Sequence, residues 1–223
     1  MTKPWTTLAT VDTPEGALEL RQRDVDDFLI VIGGRVLMSS KAARSEEALS
    51  TLGLAPLAGK PISRILIGGL GMGYTLRAAL DALPADAKVI VAEIQPEIVD
   101  WCKGPLAPLT NKAVEDPRVT VIAKDVAAVI AAAPEDKLDA ILLDLYEGPS
   151  SSTQRSADPF YGSAALLRAH LAIKPGGTLA IWGEDVDNDF PGRFEMSGFD
   201  VKVHRPDGQG GRTHVVYVGV SRP

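Results

Sequence analysis

The apolar and polar positions divide the chain into two regions with different periods. Before residue 40, short β-type runs are separated by turn residues, of which Gly33 and Gly34 supply the positive φ of a tight hairpin turn. The runs are Thr6–Val11, Ala17–Arg23, Phe28–Ile32 and Arg35–Met38. After them, Ser45 predicts the N-cap of a linker helix that ends near Gly53. This region therefore predicts β-hairpins followed by one helix.

From Ile62 onward, continuous apolar runs alternate with helical segments. The predicted strands are Ile62–Gly68, Lys88–Ile94, Val119–Ala123, Leu138–Leu145 and Thr178–Trp182. The predicted helices are Tyr74–Leu83, Pro96–Lys103, Val126–Ala133 and Ser163–Ile173. Strands that are apolar throughout and separated by helices indicate a parallel sheet covered on both faces. Two tail strands, Asp200–His204 and His214–Val220, are close enough in sequence to pair antiparallel and close one edge.

These patterns predict an α/β fold. We expect a doubly wound, Rossmann-like sheet that is mostly parallel, with an antiparallel last strand and a small N-terminal β-hairpin region. Residues 1–54 would form the hairpins and the linker helix, and residues 55–223 the sheet domain. Because the hairpins are too small for a core of their own, they should pack on the sheet domain or across a two-fold axis.

Composition and charge exclude several classes of function. The chain has 223 residues and 23 Lys and Arg against 29 Asp and Glu, a net charge of −6, which argues against a nucleic-acid-binding protein. One cysteine excludes an internal disulfide framework, and the three dispersed histidines predict no metal site. The first thirty residues show no secretory signal, and no apolar run reaches the ~18–20 residues of a membrane span. We expect a cytoplasmic protein without a membrane segment.

The stretch from Ile65 to Tyr74 runs from an apolar strand into a glycine cluster and then into a helix. Glycines at such a turn let a ligand lie against the main chain, although glycine-rich turns also serve packing alone. The spacing Gly69-x-Gly71-x-Gly73 suits a nucleoside-sulfonium site better than a dinucleotide site. In the dinucleotide motif the third glycine would fall where this chain has Tyr74, so a nicotinamide oxidoreductase is disfavoured.

Acidic residues follow three of the predicted strands, at the edge where open α/β sheets bind ligands. Glu93 is placed to accept both hydroxyls of a ribose, or is a solvated strand end. Asp125 is placed to accept from an adenine amino group or to cap the helix that follows, and the two roles are compatible. Asp144, followed by Tyr146 and Glu147, is placed to hold and deprotonate an amine nucleophile, or caps a loop. We expect these last three residues to be catalytic.

Several motifs in order carry a family resemblance: Thr75-Leu76-Arg77 after the glycine loop, Ala92-Glu93-Ile94, Cys102-Lys103, Asp116-Pro117-Arg118-Val119, Asp144–Pro149 at a D-x-x-D-P position, Phe160-Tyr161 and Lys174-Pro175-Gly176-Gly177. Over essentially its whole length the chain resembles the spermidine synthase (polyamine aminopropyltransferase) family of class I S-adenosylmethionine-dependent transferases. The resemblance implies that Glu93 binds the ribose, Asp125 the adenine, and Asp144 lies beside the sulfonium carbon. The donor site that it implies consists of Gly69, Gly71, Met72, Gly73, Glu93, Ile94, Asp125, Val126 and Asp144. It further implies a homodimer, a small-molecule acceptor, no metal cofactor, and residues 55–223 as the catalytic domain.

Four departures from the family pattern bear on the reaction. Met72 replaces an Asp that holds the amine of the aminopropyl donor, and Glu147 replaces the second Asp of D-x-x-D. Leu37 replaces a glutamine, and Ser45-Glu46-Glu47 replaces Tyr-His-Glu. Each lost charge-assisted bond would weaken binding of a diamine or of the decarboxylated donor by about 1–3 kcal/mol.

The Met72 departure favours the complete donor, because an Asp there would repel the carboxylate of S-adenosylmethionine. We therefore predict methyl transfer from S-adenosylmethionine to a small, amine-bearing acceptor. The alternatives are aminopropyl transfer from decarboxylated S-adenosylmethionine, with Glu147 as the second acid, and a non-catalytic nucleoside-binding homologue.

Overall fold

The N-terminal region is a four-stranded antiparallel sheet. The computed structural model describes residues 3–133, 137–146, 148–150, 157–206 and 214–223. The N-terminal strands pair in chain order and are β1 (Thr6–Thr13), β2 (Gly16–Asp24), β3 (Asp27–Ile32) and β4 (Arg35–Ser39). Each predicted β-type run lies within one of these strands, and Gly33 and Gly34 have positive φ in the β3–β4 turn. The predicted hairpins are confirmed.

The linker helix, α1 (Arg44–Leu54), begins differently from the prediction. Ser45 was expected to be the N-cap, but the N-cap is Ala43 and no side chain caps the helix. Ser45 lies in the first turn, where it is buried and its hydroxyl donates to Glu46 Oε2 at 2.6 Å. The local N-cap preference is overridden because the tertiary fold turns this side chain into the interior.

The second sheet has seven strands in the order β10-β11-β9-β8-β5-β6-β7. They are β5 (Arg64–Gly68), β6 (Lys88–Ala92), β7 (Val119–Ile122), β8 (Leu138–Leu143), β9 (Ile173–Gly183), β10 (Phe199–His204) and β11 (Val215–Ser221). The helices around it are α2 (Tyr74–Ala82), α3 (Pro96–Lys103), α4 (Val126–Ala131), α5 (Ser163–Ala172) and α6 (Phe190–Met196). Strands β5 to β9 are parallel, and β11 pairs antiparallel with both β9 and β10. The predicted fold class is confirmed.

Several boundaries differ from the expected ones by one or two residues, and the start of β9 differs by five. Strand β9 begins at Ile173 rather than at residue 178, because Ile173 pairs with Leu138 before the register shifts. Lys174 strengthens this early pairing, since its Nζ lies 2.7 Å from Asp139 Oδ1. Helix α4 ends two residues before the predicted end, and its predicted stop, Pro134, lies outside the described residues.

The hydrophobic core is continuous between the two sheets. Leu18, Leu20 and Phe28 of the N-terminal sheet belong to one buried cluster with Leu49 of α1 and Ile65 of β5. The hairpins thus pack on the sheet domain, and a domain boundary after residue 54 stays a prediction. In the described ranges, no helix has both the length and the apolar character that crossing a membrane would require.

Candidate active site

A cavity of about 470 Å³ lies at the carboxyl ends of the parallel strands. Its floor consists of residues that follow β5, β6, β7 and β8, the edge at which open α/β sheets bind ligands. Strand β4 of the N-terminal sheet forms another wall, through Val36, Leu37 and Met38. The volume falls within the ~300–1,000 Å³ of typical small-molecule sites. Both sheets therefore contribute to one site.

The glycine loop after β5 is in close contact with its neighbours at two positions. A Cβ on Gly69, whose φ is 85°, would lie 2.2 Å from the carbonyl oxygen of Asp144. A Cβ on Gly71, whose φ is 51°, would lie 2.9 Å from Met38 Sδ. The Met72 N–H donates to the same sulfur at 3.1 Å. Close packing against the main chain requires glycine at position 69, whereas at position 71 the neighbour is a flexible side chain; both residues also line the cavity.

Glu93 follows β6, and its carboxylate accepts from the main chain of the glycine loop. Its Oε2 accepts from the Leu70 N–H and its Oε1 from the Gln95 N–H, both at 2.8 Å. The residue is only 6% exposed, which rules out a solvated strand end. Burial raises the pKa of Glu93 even though these N–H bonds act to lower it. The backbone N–H groups of Ile94 and Gly71 also favour the charged form of this carboxylate.

Asp125 follows β7 and caps α4, as one of its two predicted roles requires. Its Oδ1 accepts from the Ala127 N–H at 2.8 Å. The residue also lines the cavity, together with Ile94 and Val126. The capping role is confirmed, and the contact with adenine stays a prediction.

Asp144 and Glu46 bring two carboxyl groups to the same cavity from distant parts of the chain. Asp144 Oδ2 accepts from Thr75 Oγ1 at 2.6 Å, and burial raises the pKa of Asp144 to about 6. Glu46, on the first turn of α1, is 7% exposed. Burial and the neighbouring charge of Asp144 raise the pKa of Glu46 to about 7.

These carboxyl groups are not neutralised by the protein. Within the described parts of the chain, Glu46, Glu93 and Asp144 form no ion pair. The Arg35 guanidinium, in the same wall, lies 3.3 Å from Glu184 and stacks 4.6 Å above the Tyr146 ring. Because buried carboxylates without a counter-ion are costly, the cavity favours a cationic ligand.

The structure brings most of the predicted site residues together. Those that line the cavity are Gly69, Gly71, Glu93, Ile94, Asp125, Val126, Asp144 and Tyr146. Met72 does not: its side chain is fully buried in the hydrophobic core, beneath the loop. Gly73 precedes α2 and faces Thr110. Glu147 lies outside the described residues.

Other wall residues carried no sequence prediction as site residues, among them Met38, Glu46, Trp182 and His214. No motif marks them, because tertiary packing alone brings them to the cavity. The departure at Ser45-Glu46-Glu47 was the one local signal that concerned Glu46.

Cys102 is a buried packing residue beneath the glycine loop. Its Sγ donates to the Gly71 carbonyl at 3.3 Å. Burial raises the pKa of this thiol to about 12, so it stays protonated beneath the loop.

No family model matches the chain. It is 34% identical over 169 residues to polyamine aminopropyltransferase 2 of Streptomyces coelicolor, a match covering 74% of this chain and 28% of that relative. It is 30% identical over 123 residues to putrescine N-methyltransferase 2 of Nicotiana attenuata, covering 55% of this chain and 31% of that relative. The matches thus span less than a third of the length of these curated relatives.

Solved structures show the same fold. A spermidine synthase in complex with the transition-state analogue AdoDATO matches with a TM-score of 0.75 at 16% identity, over 96% of this chain and 73% of that chain. The spermidine synthase from Thermotoga maritima matches with a TM-score of 0.73 at 14% identity, over 96% of this chain and 72% of that chain. These sequence relatives and this fold support the resemblance of the chain to the spermidine synthase-like family of S-adenosylmethionine-dependent transferases.

Proposed function

We propose that the protein transfers an alkyl group from an S-adenosyl sulfonium donor to a small amine. The observation that carries the proposal is the set of three carboxyl groups, Glu46, Glu93 and Asp144, that form no ion pair with the residues the structure describes and line one cavity next to a glycine loop. A sulfonium and an ammonium are both cations that such groups stabilise. The names of the sequence relatives support an amine acceptor, since they refer to putrescine and polyamines.

The donor would lie across the ends of β5, β6 and β7. Glu93 would accept from the ribose hydroxyls, and Asp125 would accept from the adenine amino group. Ile94 and Val126 supply apolar surface beside Asp125 in the cavity wall. This assignment uses residues that already meet in the fold.

Asp144 would hold the acceptor amine and take its proton before attack. The amine lone pair then forms the new N–C bond, and the C–S bond breaks with its electron pair going to sulfur. Because a sulfonium is already activated, the main tasks of the site are alignment and proton removal. Tyr146, stacked on Arg35, would border the acceptor, and Glu147 keeps its expected catalytic role as part of the proposal.

Of the two possible groups, we propose the aminopropyl group of decarboxylated S-adenosylmethionine as the one transferred. That donor lacks the carboxylate of S-adenosylmethionine and keeps its ammonium, so its net charge is more positive, which suits an acidic cavity. The expectation of methyl transfer relied on the absence of an Asp at position 72. The Met72 side chain is buried in the core, and the carboxyl groups that line the cavity come from other positions. Methyl transfer is the second candidate, supported by the similarity to putrescine N-methyltransferases.

Calorimetric titration with both donors, followed by mass analysis of products formed from putrescine and other amines, tests the proposal. We expect the decarboxylated donor to bind at least ~10-fold tighter, about 1.4 kcal/mol, and to yield an aminopropylated product. Preference for S-adenosylmethionine with a methylated product would establish the second candidate. Binding without turnover on any amine would indicate a nucleoside-binding homologue, and no binding of either donor would refute the proposal.

The role of Asp144 is tested by Asp144→Asn, which retains an oxygen for the Thr75 hydroxyl but cannot accept a proton. Turnover should fall about 10²-fold or more, since general-base catalysis contributes that much, while donor affinity changes only a few-fold. Glu47→Gln is the control, because Glu47 is exposed on α1. Unchanged turnover in Asp144→Asn would exclude Asp144 as the base.

On the family resemblance, we also propose that the protein is a cytoplasmic homodimer. Light scattering during size-exclusion chromatography would measure its mass in solution, and a monomer would contradict the dimer.

A further inference from the structure

Glu46 and Asp144 reach one cavity from two layers of the fold, the linker helix and the end of β8. We propose that the two carboxyl groups share one proton, and that Glu46 thereby sets the charge that Asp144 presents to the reacting cations. Glu46 is then a positioning residue that acts through Asp144. This inference rests on the proposed function, because it concerns the same site.

Thr75 connects the two acidic residues. Its Oγ1 donates to Asp144 Oδ2 at 2.6 Å and also lies 3.1 Å from the Glu46 carbonyl oxygen. Thr75 is 1% exposed, so α2 joins the start of α1 to the end of β8 in a water-poor region. The Glu46 carboxyl receives a bond from Ser45 Oγ at 2.6 Å. Each carboxyl group thus accepts from a neutral hydroxyl, and the Thr75 hydroxyl places the Asp144 carboxyl next to the main chain of Glu46.

The charged and titratable groups around the pair leave its negative charge largely uncompensated. Glu46 faces Asp144, His214 and Tyr74, and of these only His214 favours the charged carboxylate. Asp144 faces Glu93, another carboxyl group. Two neighbouring buried carboxyl groups cannot both ionise readily, so they lose their protons in two separated steps. Near neutral pH the pair therefore holds about one proton.

A cation that enters the cavity would replace this proton. Binding of a sulfonium should release it, whereas binding of the corresponding neutral thioether should release less. An acceptor that arrives as an ammonium would pass one proton to the pair, and its lone pair would form the N–C bond as the C–S bond breaks toward sulfur. The sulfur is then neutral, and the pair keeps the proton until solvent takes it.

Proton release can be measured by calorimetric titration at pH 7, in two buffers with different ionisation enthalpies. The probes are S-adenosylmethionine against S-adenosylhomocysteine, and decarboxylated S-adenosylmethionine against its demethylated thioether. In wild type, the sulfonium should release roughly half a proton more than the thioether, because Glu46 titrates near this pH. Glu46→Gln should abolish the difference, and Glu47→Gln on the same helix turn should keep it.

Ser45→Ala supplies a second variant that keeps both carboxyl groups. It removes the hydroxyl that stabilises the Glu46 carboxylate, so the pH of maximal release should move upward. If sulfonium and thioether both bind but release equal protons in wild type, or if Glu46→Gln releases as wild type does, the shared-proton proposal is wrong and the proposed function stands. If neither probe binds, both proposals fail.

Discussion

At the scale of single residues, two glycines of the loop lie against different kinds of neighbour. Gly69 lies against the main chain of Asp144, which cannot move without disturbing β8. Gly71 lies against the thioether of Met38, the end of a flexible side chain. The two positions should therefore tolerate a methyl group very differently.

Gly69→Ala should destabilise the protein far more than Gly71→Ala in urea unfolding. Gly34→Ala is the matched control: Gly34 has a φ of +83°, close to the +85° of Gly69, but nothing lies within 4 Å of a Cβ there. It should cost only the left-handed backbone penalty of about 1–2 kcal/mol. Adding Met38→Ala to the Gly71→Ala variant should recover part of the stability that Gly71→Ala loses. Equal losses for Gly69→Ala and Gly34→Ala would contradict the contact with Asp144.

At the scale of elements, α4 depends on its first residue. A helix of six residues is too short to be stable by itself. Asp125 caps it and also lines the cavity, so one side chain both starts the helix and faces the predicted adenine position. A substitution at Asp125 must be analysed for both roles.

Asp125→Ala should lower the free energy of unfolding by about 0.5–2 kcal/mol through loss of the cap. Asp125→Asn should retain most of that stability, because its side-chain oxygen still accepts from the Ala127 N–H. Chemical denaturation measures the cap, and titration with a donor measures the ligand contact. The capping account is wrong if Asp125→Ala is as stable as wild type.

At the scale of the whole molecule, two groups of buried acids respond to pH in opposite directions. Burial raises the pKa of Glu46 and Asp144 in the cavity. Burial also acts to raise the pKa of Asp139, at the other end of β8, but bonds from Lys174, Arg64 and Ser63 outweigh it and the pKa is lowered. The cavity acids bind protons more tightly when folded, and Asp139 binds them less tightly.

Stability should therefore fall as pH rises from 4.5 to about 7, the interval between the ordinary and the folded pKa of Glu46. The slope is at most about 1.4 kcal/mol per pH unit for each group. Asp139 adds the opposite effect, a loss of stability as pH falls below 3.8. Thermal unfolding across this range should show a flatter decline for Glu46→Gln and an unchanged one for Glu47→Gln. A decline as steep in Glu46→Gln as in wild type would exclude Glu46 as its source.

The sequence by itself determined the layout of the main elements and the edge of the sheet at which the site lies. Apolar runs of strand length indicate buried strands, and Glu93, Asp125 and Asp144 each follow one, so their convergence follows from parallel topology. Local patterns carry this information because burial and turn chemistry act over a few residues.

The tertiary structure alone decided which side chains face the cavity. Met72 belongs to the loop but points into the core, whereas Glu46 comes from the linker helix to lie near Asp144. Ser45, a good N-cap by composition, is turned inward, and the strand after α5 begins early because Leu138 pairs with Ile173. These outcomes depend on contacts between residues far apart in the chain, which no local pattern encodes.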